Sequence, residues 1–131
     1  MKKTEIARAA GLFDGEGTVG AYRRWGEKSA FAVMLRIGMT TRRDVARFAR
    51  IFSLRIYKNG RMYFVALRSQ RAGQVLRILR PFSTGKRAQM ELALRILSRQ
   101  QQHGSGGRGY TKKEYQWMER AADKLREMKR V

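Results

Sequence analysis

A chain of 131 residues with 43% hydrophobic content can bury one core but not two, so it reads as a single compact unit. Its 30 Lys and Arg against 10 Asp and Glu, a formal charge of +20, exceed what solubility asks of a surface and point to a polyanionic partner. The lack of Cys and the single His103 exclude disulfides, thiolate catalysis and Cys- or His-built zinc sites. Any metal must therefore be held by oxygen, which favours a hard cation such as Mg²⁺ or Mn²⁺.

Met1 to Arg8 is basic and lacks the apolar run of a secretory signal, and no stretch approaches the ~18 apolar residues of a membrane span. The expected setting is cytoplasmic, with neither membrane nor small-molecule substrate as partner. Charge alone does not separate a DNA binder from a histone, a ribosomal protein or a basic membrane-surface helix.

Thr4 to Asp14 reads as a helix capped by Thr4, with Ile6, Ala9, Ala10, Leu12 and Phe13 at helical spacings, stopped by Asp14-Gly15-Glu16-Gly17. Period-two patterning then predicts strands over Thr18 to Trp25 and Ser29 to Met39, turning at Gly26-Glu27-Lys28. Thr41 stands ready to cap a helix through Phe52, with Asp44 favourable in its first turn. Leu54 to Lys58 and Arg61 to Arg68 flank Asn59-Gly60, a strong hairpin signal because both residues tolerate positive φ. Gln70 to Leu79 is a helix that Pro81 ends, and Arg87 to Leu97 another, with Lys86 in the joint between them. His103 to Gly109 holds four Gly and a Ser, a flexible connector. Thr111 and Glu114 then form a capping box opening a charged helix to Lys129, for which the pattern predicts loose docking.

The order gives an α+β fold with an αββαββα core, a four-stranded antiparallel, saddle-like sheet covered by helices on one face, and an added C-terminal helix. Residues 1–103 are the expected core, 104–110 the Gly-rich connector and 111–131 the last helix of the same domain. The Asp-Gly-Glu-Gly motif occurs once.

Gly11 and Gly15 lie four apart on one helix face, where missing side chains let two helix backbones approach closely. Two copies packed about a two-fold axis would bring both Glu16 side chains together at the foot of the helix pair, and paired carboxylates there invite a divalent metal. Taken alone, the tetrapeptide favours an ordinary helix stop. The segment Ala9-Ala10-Gly11-Leu12-Phe13-Asp14-Gly15-Glu16-Gly17 resembles the LAGLIDADG motif of homing endonucleases. Ala9 replaces the first Leu, Phe13 the Ile, Gly15 the second Ala and Glu16 the last Asp. Leu79-Arg80-Pro81-Phe82, followed by Lys86 and a helix, resembles the family's third block, so the likeness runs from Ile6 to Leu97.

The resemblance implies a site-specific DNA endonuclease cutting both strands across the minor groove to leave 3′ overhangs, with one acidic residue per active site. A single-motif chain would act as a homodimer through Gly11, Leu12 and Gly15, with Glu16 and the Gly15 carbonyl as metal ligands. Lys86 occupies the place of a Lys that polarises the attacking water or steadies transition-state charge; it is equally one more phosphate-binding Lys. The place of the family's polar, water-positioning residue falls on Met39, whose thioether replaces an amide poorly. Thr40 or Thr41 fills it only if the register slips.

With Phe31, Val33, Leu35 and Ile37 toward the helices, Thr18, Tyr22, Arg24, Met34 and Arg36 face outward, where a curved sheet can lie along a major groove of double-stranded DNA. Pairing across Asn59-Gly60 predicts Arg55 beside Phe64 and Tyr57 beside Met62 on that face. Arg24, Arg36 and Arg55 are candidates for guanine, and Met34, Met62 and Phe64 for thymine methyl groups. Arg23, Arg42, Arg43, Lys58, Arg61, Arg68 and Arg71 are candidates for phosphates. Three other readings stay open: a non-catalytic DNA-binding regulator, an intron-RNA maturase on the same scaffold, and a structural RNA binder.

Overall fold

The computed structural model of the chain describes residues 2–23, 31–102 and 111–129. Helix α1 spans Lys3–Glu16 and runs without a loop into β1, Gly17–Arg23. β2 is Phe31–Met39, α2 is Arg42–Phe52, β3 is Tyr57–Asn59 and β4 is Met62–Arg68. Helix α3, Ser69–Leu79, passes through a 3₁₀ turn at Arg80–Phe82 toward α4, Arg87–Gln102, and α5 is Lys112–Met128. The αββαββα order is therefore present. The turn expected at Gly26-Glu27-Lys28 and the connector expected at His103 to Gly109 lie outside the described residues.

The four strands form one antiparallel sheet in the order β1-β2-β4-β3. Alternation sorts the strands as the patterning predicts. Val19, Phe31, Val33, Leu35, Ile37, Val65 and Leu67 are buried in one core with Phe13, Val45, Phe48, Val75, Leu76, Leu79, Met90, Ile96 and Leu97 from the helices. The opposite face carries Thr18, Tyr22, Met34, Arg36, Phe64 and Tyr57, since Thr18 pairs with Arg36, Gly38 with Phe64 and Tyr57 with Phe64.

That last pairing corrects the expected register. Tyr57 stands opposite Phe64, not Met62, and Arg55 precedes β3 unpaired. The two connecting residues are Gly60 and Arg61, with positive φ only at Gly60 (φ 61). One positive φ at the first central residue is what a type II′ connection needs, whereas the Asn59-Gly60 reading required two, as in type I′. The slip moves each partner by two residues, so the faces survive it.

Helix boundaries show smaller differences. Lys2, not Thr4, precedes the first helical residue, and Thr41 occupies the N-cap position of α2 with no side-chain cap bond. Thr111 does cap α5, its Oγ accepting from the Glu114 amide at 3.2 Å. Nor is α5 loosely docked: Met118, Ala121, Ala122 and Leu125 are buried in the common core, and the Tyr115 ring lies 5.6 Å from that of Phe31. The Arg99 guanidinium of α4 sits 3.9 Å from the Trp117 ring centroid. Long-range packing decides this, because the four buried positions are spaced 3, 1 and 3 apart within a helix whose remaining residues are mostly charged.

Where α1 meets β1, Gly17 is required by close approach, its backbone being ordinary extended chain (φ -82). A Cβ there would overlap the ring of Phe13, which is wholly buried. Gly17→Ala is expected to lower stability by about 1–3 kcal/mol through overpacking, read as a lower urea midpoint at unchanged slope; an unchanged midpoint would show that the Phe13 pocket yields.

Candidate active site and nucleic-acid interface

The last turn of α1 and the segment leading into α4 are joined by the densest set of side-chain hydrogen bonds among the described residues. The Asp14 carboxylate accepts from the Ser83 hydroxyl and from the amides of Thr84 at 2.9 Å and Lys86 at 3.0 Å. In return the Lys86 ammonium donates to the Asp14 carbonyl at 2.5 Å. Each helix end satisfies the other. The α1 carbonyl is one of the four that a helix C-terminus leaves without a partner, and the Thr84 and Lys86 amides stand at the α4 N-terminus, where donors are left over. Burial alone would raise the Asp14 carboxyl; bonds from Ser83, Thr84, Lys86 and Gly85 outweigh it and hold the group below the usual carboxylate value.

Lys86 is thus bonded at the foot of α1 to Asp14, two residues before Glu16, whose side chain is exposed. These are the two sequence candidates that the fold brings together. Gly11 and Gly15 are exposed, with open space where a Cβ would stand. With Thr4 and Ala7, also exposed, they form a stripe of small residues along α1 that none of the other described residues covers. Leu12 is half-buried against the core and borders a groove between α1 and α2 with Arg8, Phe48 and Ile51. Met39 closes β2 at the same end of the sheet as Glu16, but its register turns the side chain to the helix face, against the core. Thr40 is exposed just beyond it.

On the open face, aromatic rings and guanidinium groups form a connected row. The Arg36 guanidinium lies 4.5 Å from the Phe64 ring centroid, Phe64 stacks on Tyr57 at 5.6 Å and 24°, and Arg55 lies 5.2 Å from the Tyr57 ring. Gly38 makes room for this row, since a Cβ there would stand 3.3 Å from both Phe64 Cβ and Met62 Cε. Arg68 is exposed and sits 5.9 Å from the Tyr22 ring, while Thr18 and Met34 are half-buried on the same face. Arg24 lies outside the described residues. Sequence reasoning missed Lys129: its amine stands 3.0 Å from where a Cβ on Gly20 would be, over the open face at strand β1. Burial, with the Arg126 charge adding to it, lowers its pKa. No local pattern at Lys129 could have signalled a neighbour on β1.

No protein-family model and no curated protein matches the sequence. Solved structures do match. The homing endonuclease I-CvuI, in complex with its target in the presence of Ca, superposes with a TM-score of 0.79 at 21% identity over 95% of this chain and 82% of that one. The archaeal intron-encoded homing endonuclease I-Vdi141I, complexed with DNA, gives 0.78 at 11% identity over 98% and 86%. The LAGLIDADG homing endonuclease I-GzeII, in complex with a DNA target, gives 0.68 at 14% over 92% of this chain but 43% of that one. The chain has the LAGLIDADG homing-endonuclease fold.

Within that fold, this chain spans most of I-CvuI and less than half of I-GzeII, as expected of a chain with one motif. Among the described residues no helix is long and apolar enough to cross a membrane.

The Asp14 contacts set a pH dependence. A carboxyl whose folded pKa lies below its ordinary value of 3.8 contributes stability that is fully present above that value and is lost below it, as pH falls through the lowered folded pKa. Asp14→Ala also strands the buried Ser83 hydroxyl. Its stability deficit is expected to be about 1–3 kcal/mol at neutral pH and to narrow below pH 3.8 in thermal melts; a gap independent of pH would mean the charge on Asp14 contributes nothing.

Proposed function

We propose that the chain is a site-specific, divalent-metal-dependent double-strand DNA endonuclease, a homing endonuclease acting as a homodimer. The observation that carries this reading is the placing of exposed Glu16 and clamped Lys86 at one helix foot, beside a basic sheet face and an uncovered stripe of small residues. Two chains meeting along Thr4, Ala7, Gly11 and Gly15 of α1 would set two Glu16 carboxylates side by side, each serving one strand.

Among the described residues no three acidic, His or Cys side chains cluster, so one chain offers a metal little more than Glu16 and the Gly15 carbonyl. Both are oxygen donors suited to a hard ion such as Mg²⁺ or Mn²⁺, and the second copy and the DNA phosphates would complete the set. When bound, the ion supplies Lewis-acid charge at the scissile phosphate. Lys86 adds a positive charge that the Asp14 carbonyl holds near the same point. The two Glu16 groups, one from each chain, fix where each strand is cut, and cleavage across the minor groove leaves 3′ overhangs.

Binding rests on the open face. Arg36, Arg55, Tyr57, Phe64, Arg68, Tyr22, Thr18 and Met34 face outward along the sheet; the sequence candidate Arg24 lies outside the described residues. Base edges in the major groove offer hydrogen-bond partners to the guanidinium groups, and the surrounding Lys and Arg give a salt-sensitive grip on phosphate. Met39, packed inward, is not placed to orient water; water positioning would fall to Thr40 or to the phosphate itself.

Glu16→Gln is expected to reduce Mg²⁺-dependent cutting of a duplex carrying the uninterrupted target by at least about 100-fold while leaving binding by gel shift intact. Cutting that survives the substitution would sink the reading. In Gly11→Leu or Gly15→Leu, added side chains hold the facing helices apart, so the light-scattering mass should fall from twice to once the 15.2 kDa chain; an unchanged dimer would refute the α1 interface.

A further inference from the structure

We infer that Asp14 is a positioning residue for the cleavage step, setting the place of the Lys86 ammonium relative to Glu16 through a reciprocal clamp between the ends of α1 and α4. The inference rests on the endonuclease reading and adds a working role to a residue that the motif pattern leaves as part of a helix stop.

The physical case begins with what each helix end lacks. The segment Ser83-Thr84-Gly85-Lys86 precedes α4, and the Met90 amide donates to the Lys86 carbonyl at 2.9 Å, so Lys86 stands at the mouth of the helix. That mouth would ordinarily be capped by a Ser, Thr, Asp or Asn in the same position. Lys86 cannot do it. Asp14, 72 residues away in the chain, instead holds the segment just before the helix, taking the Lys86 amide on one oxygen together with the Ser83 hydroxyl and the Thr84 amide on the other. A charged acceptor at a helix N-terminus is favoured by the aligned peptide dipoles.

The opposite strap runs the other way. Helix α1 ends at Glu16 with its Asp14 carbonyl free of any helical donor, and the Lys86 ammonium takes it at 2.5 Å. A cation at a helix C-terminus is favoured for the same reason. Gly85 brings the two segments close, its Cβ position lying 3.4 Å from Asp14 Cβ. Ser83 is wholly buried at the inner side of the joint, while Asp14 and Lys86 are half-buried and Thr84 is exposed. Remove the carboxylate and the segment that carries Lys86 loses three hydrogen bonds, none of which involves the exposed Glu16.

A positioning role and a merely structural one differ in what fails. Displacing a catalytic group by about 1 Å costs roughly 100-fold in rate without weakening a binding surface made elsewhere. In Asp14→Asn, single-turnover cutting at saturating Mg²⁺ should fall about 10- to 100-fold, with the dissociation constant for duplex target within about twofold. Ser83→Ala should fall less, and the double substitution no further than Asp14→Asn alone, because both act through one joint. Hydrogen exchange should show the Thr84 and Lys86 amides losing protection in Asp14→Asn.

A rate unchanged in both variants, or a loss of DNA affinity that accounts for the whole decline, overturns the inference. If Asp14→Asn does not fold by circular dichroism, Ser83→Ala carries the same comparison. A wild-type chain that cuts no duplex removes the endonuclease reading itself; the clamp is then judged by exchange, and equal protection of the two amides in wild type and variant overturns it.

Discussion

A helix that passes straight into a strand has no loop in which to satisfy its last carbonyls, and α1 does this at Gly17. The structure meets the need from the far side of the sequence, with Lys86 on the Asp14 carbonyl and the Asp14 carboxylate on the amides before α4. The rest of the molecule is arranged around that exchange. It ties the end of α1 to the start of α4 just where Phe13 lies against Gly17. It also joins the first element of the fold to the fourth helix, so the core between them is closed at the end where the proposed chemistry occurs.

The sheet divides the chain's labour by face. On one side, branched and aromatic residues from β1, β2 and β4 meet α1 to α4 and leave almost no polar atom unsatisfied. On the other, guanidinium groups lie on aromatic rings, an arrangement that holds charge forward without needing acidic partners. A net charge of +20 repels itself in an isolated chain, and stacking spends part of that charge on rings rather than on ion pairs that would compete with phosphate. At β1 another element reaches this face, where Lys129 brings the end of α5 over Gly20. Helix α5 thereby contributes to both sides: its apolar residues close the core and its terminal Lys extends the basic face.

The uncovered stripe on α1 has the opposite character. Its residues are small and uncharged, in a molecule where Arg and Lys are the commonest exposed residues. Glycines in a helix interior weaken it, and neither Gly11 nor Gly15 is explained by packing within the chain, as Gly17 and Gly38 are. The cost is intelligible if another helix backbone rests there.

Much of this was legible in the residues. Period-two runs assigned the two faces of every described strand, helical spacing located the five α-helices of the described residues, and Thr111 announced its own cap. A nine-residue motif named the fold that the superpositions show. These features are local: alternation and capping are settled by side chains a few positions apart, and they survive whatever surrounds them. The hairpin register, the firm seating of α5, the inward turn of Met39, and the tasks of Asp14 and Lys129 were decided only in three dimensions. Asn59-Gly60 permits two turns, and cross-strand packing of Phe64 on Tyr57 accompanies the one adopted. Asp14 looked like a helix stop because its three donors lie some seventy residues away, and no pattern along a chain records which distant amides a carboxylate will meet.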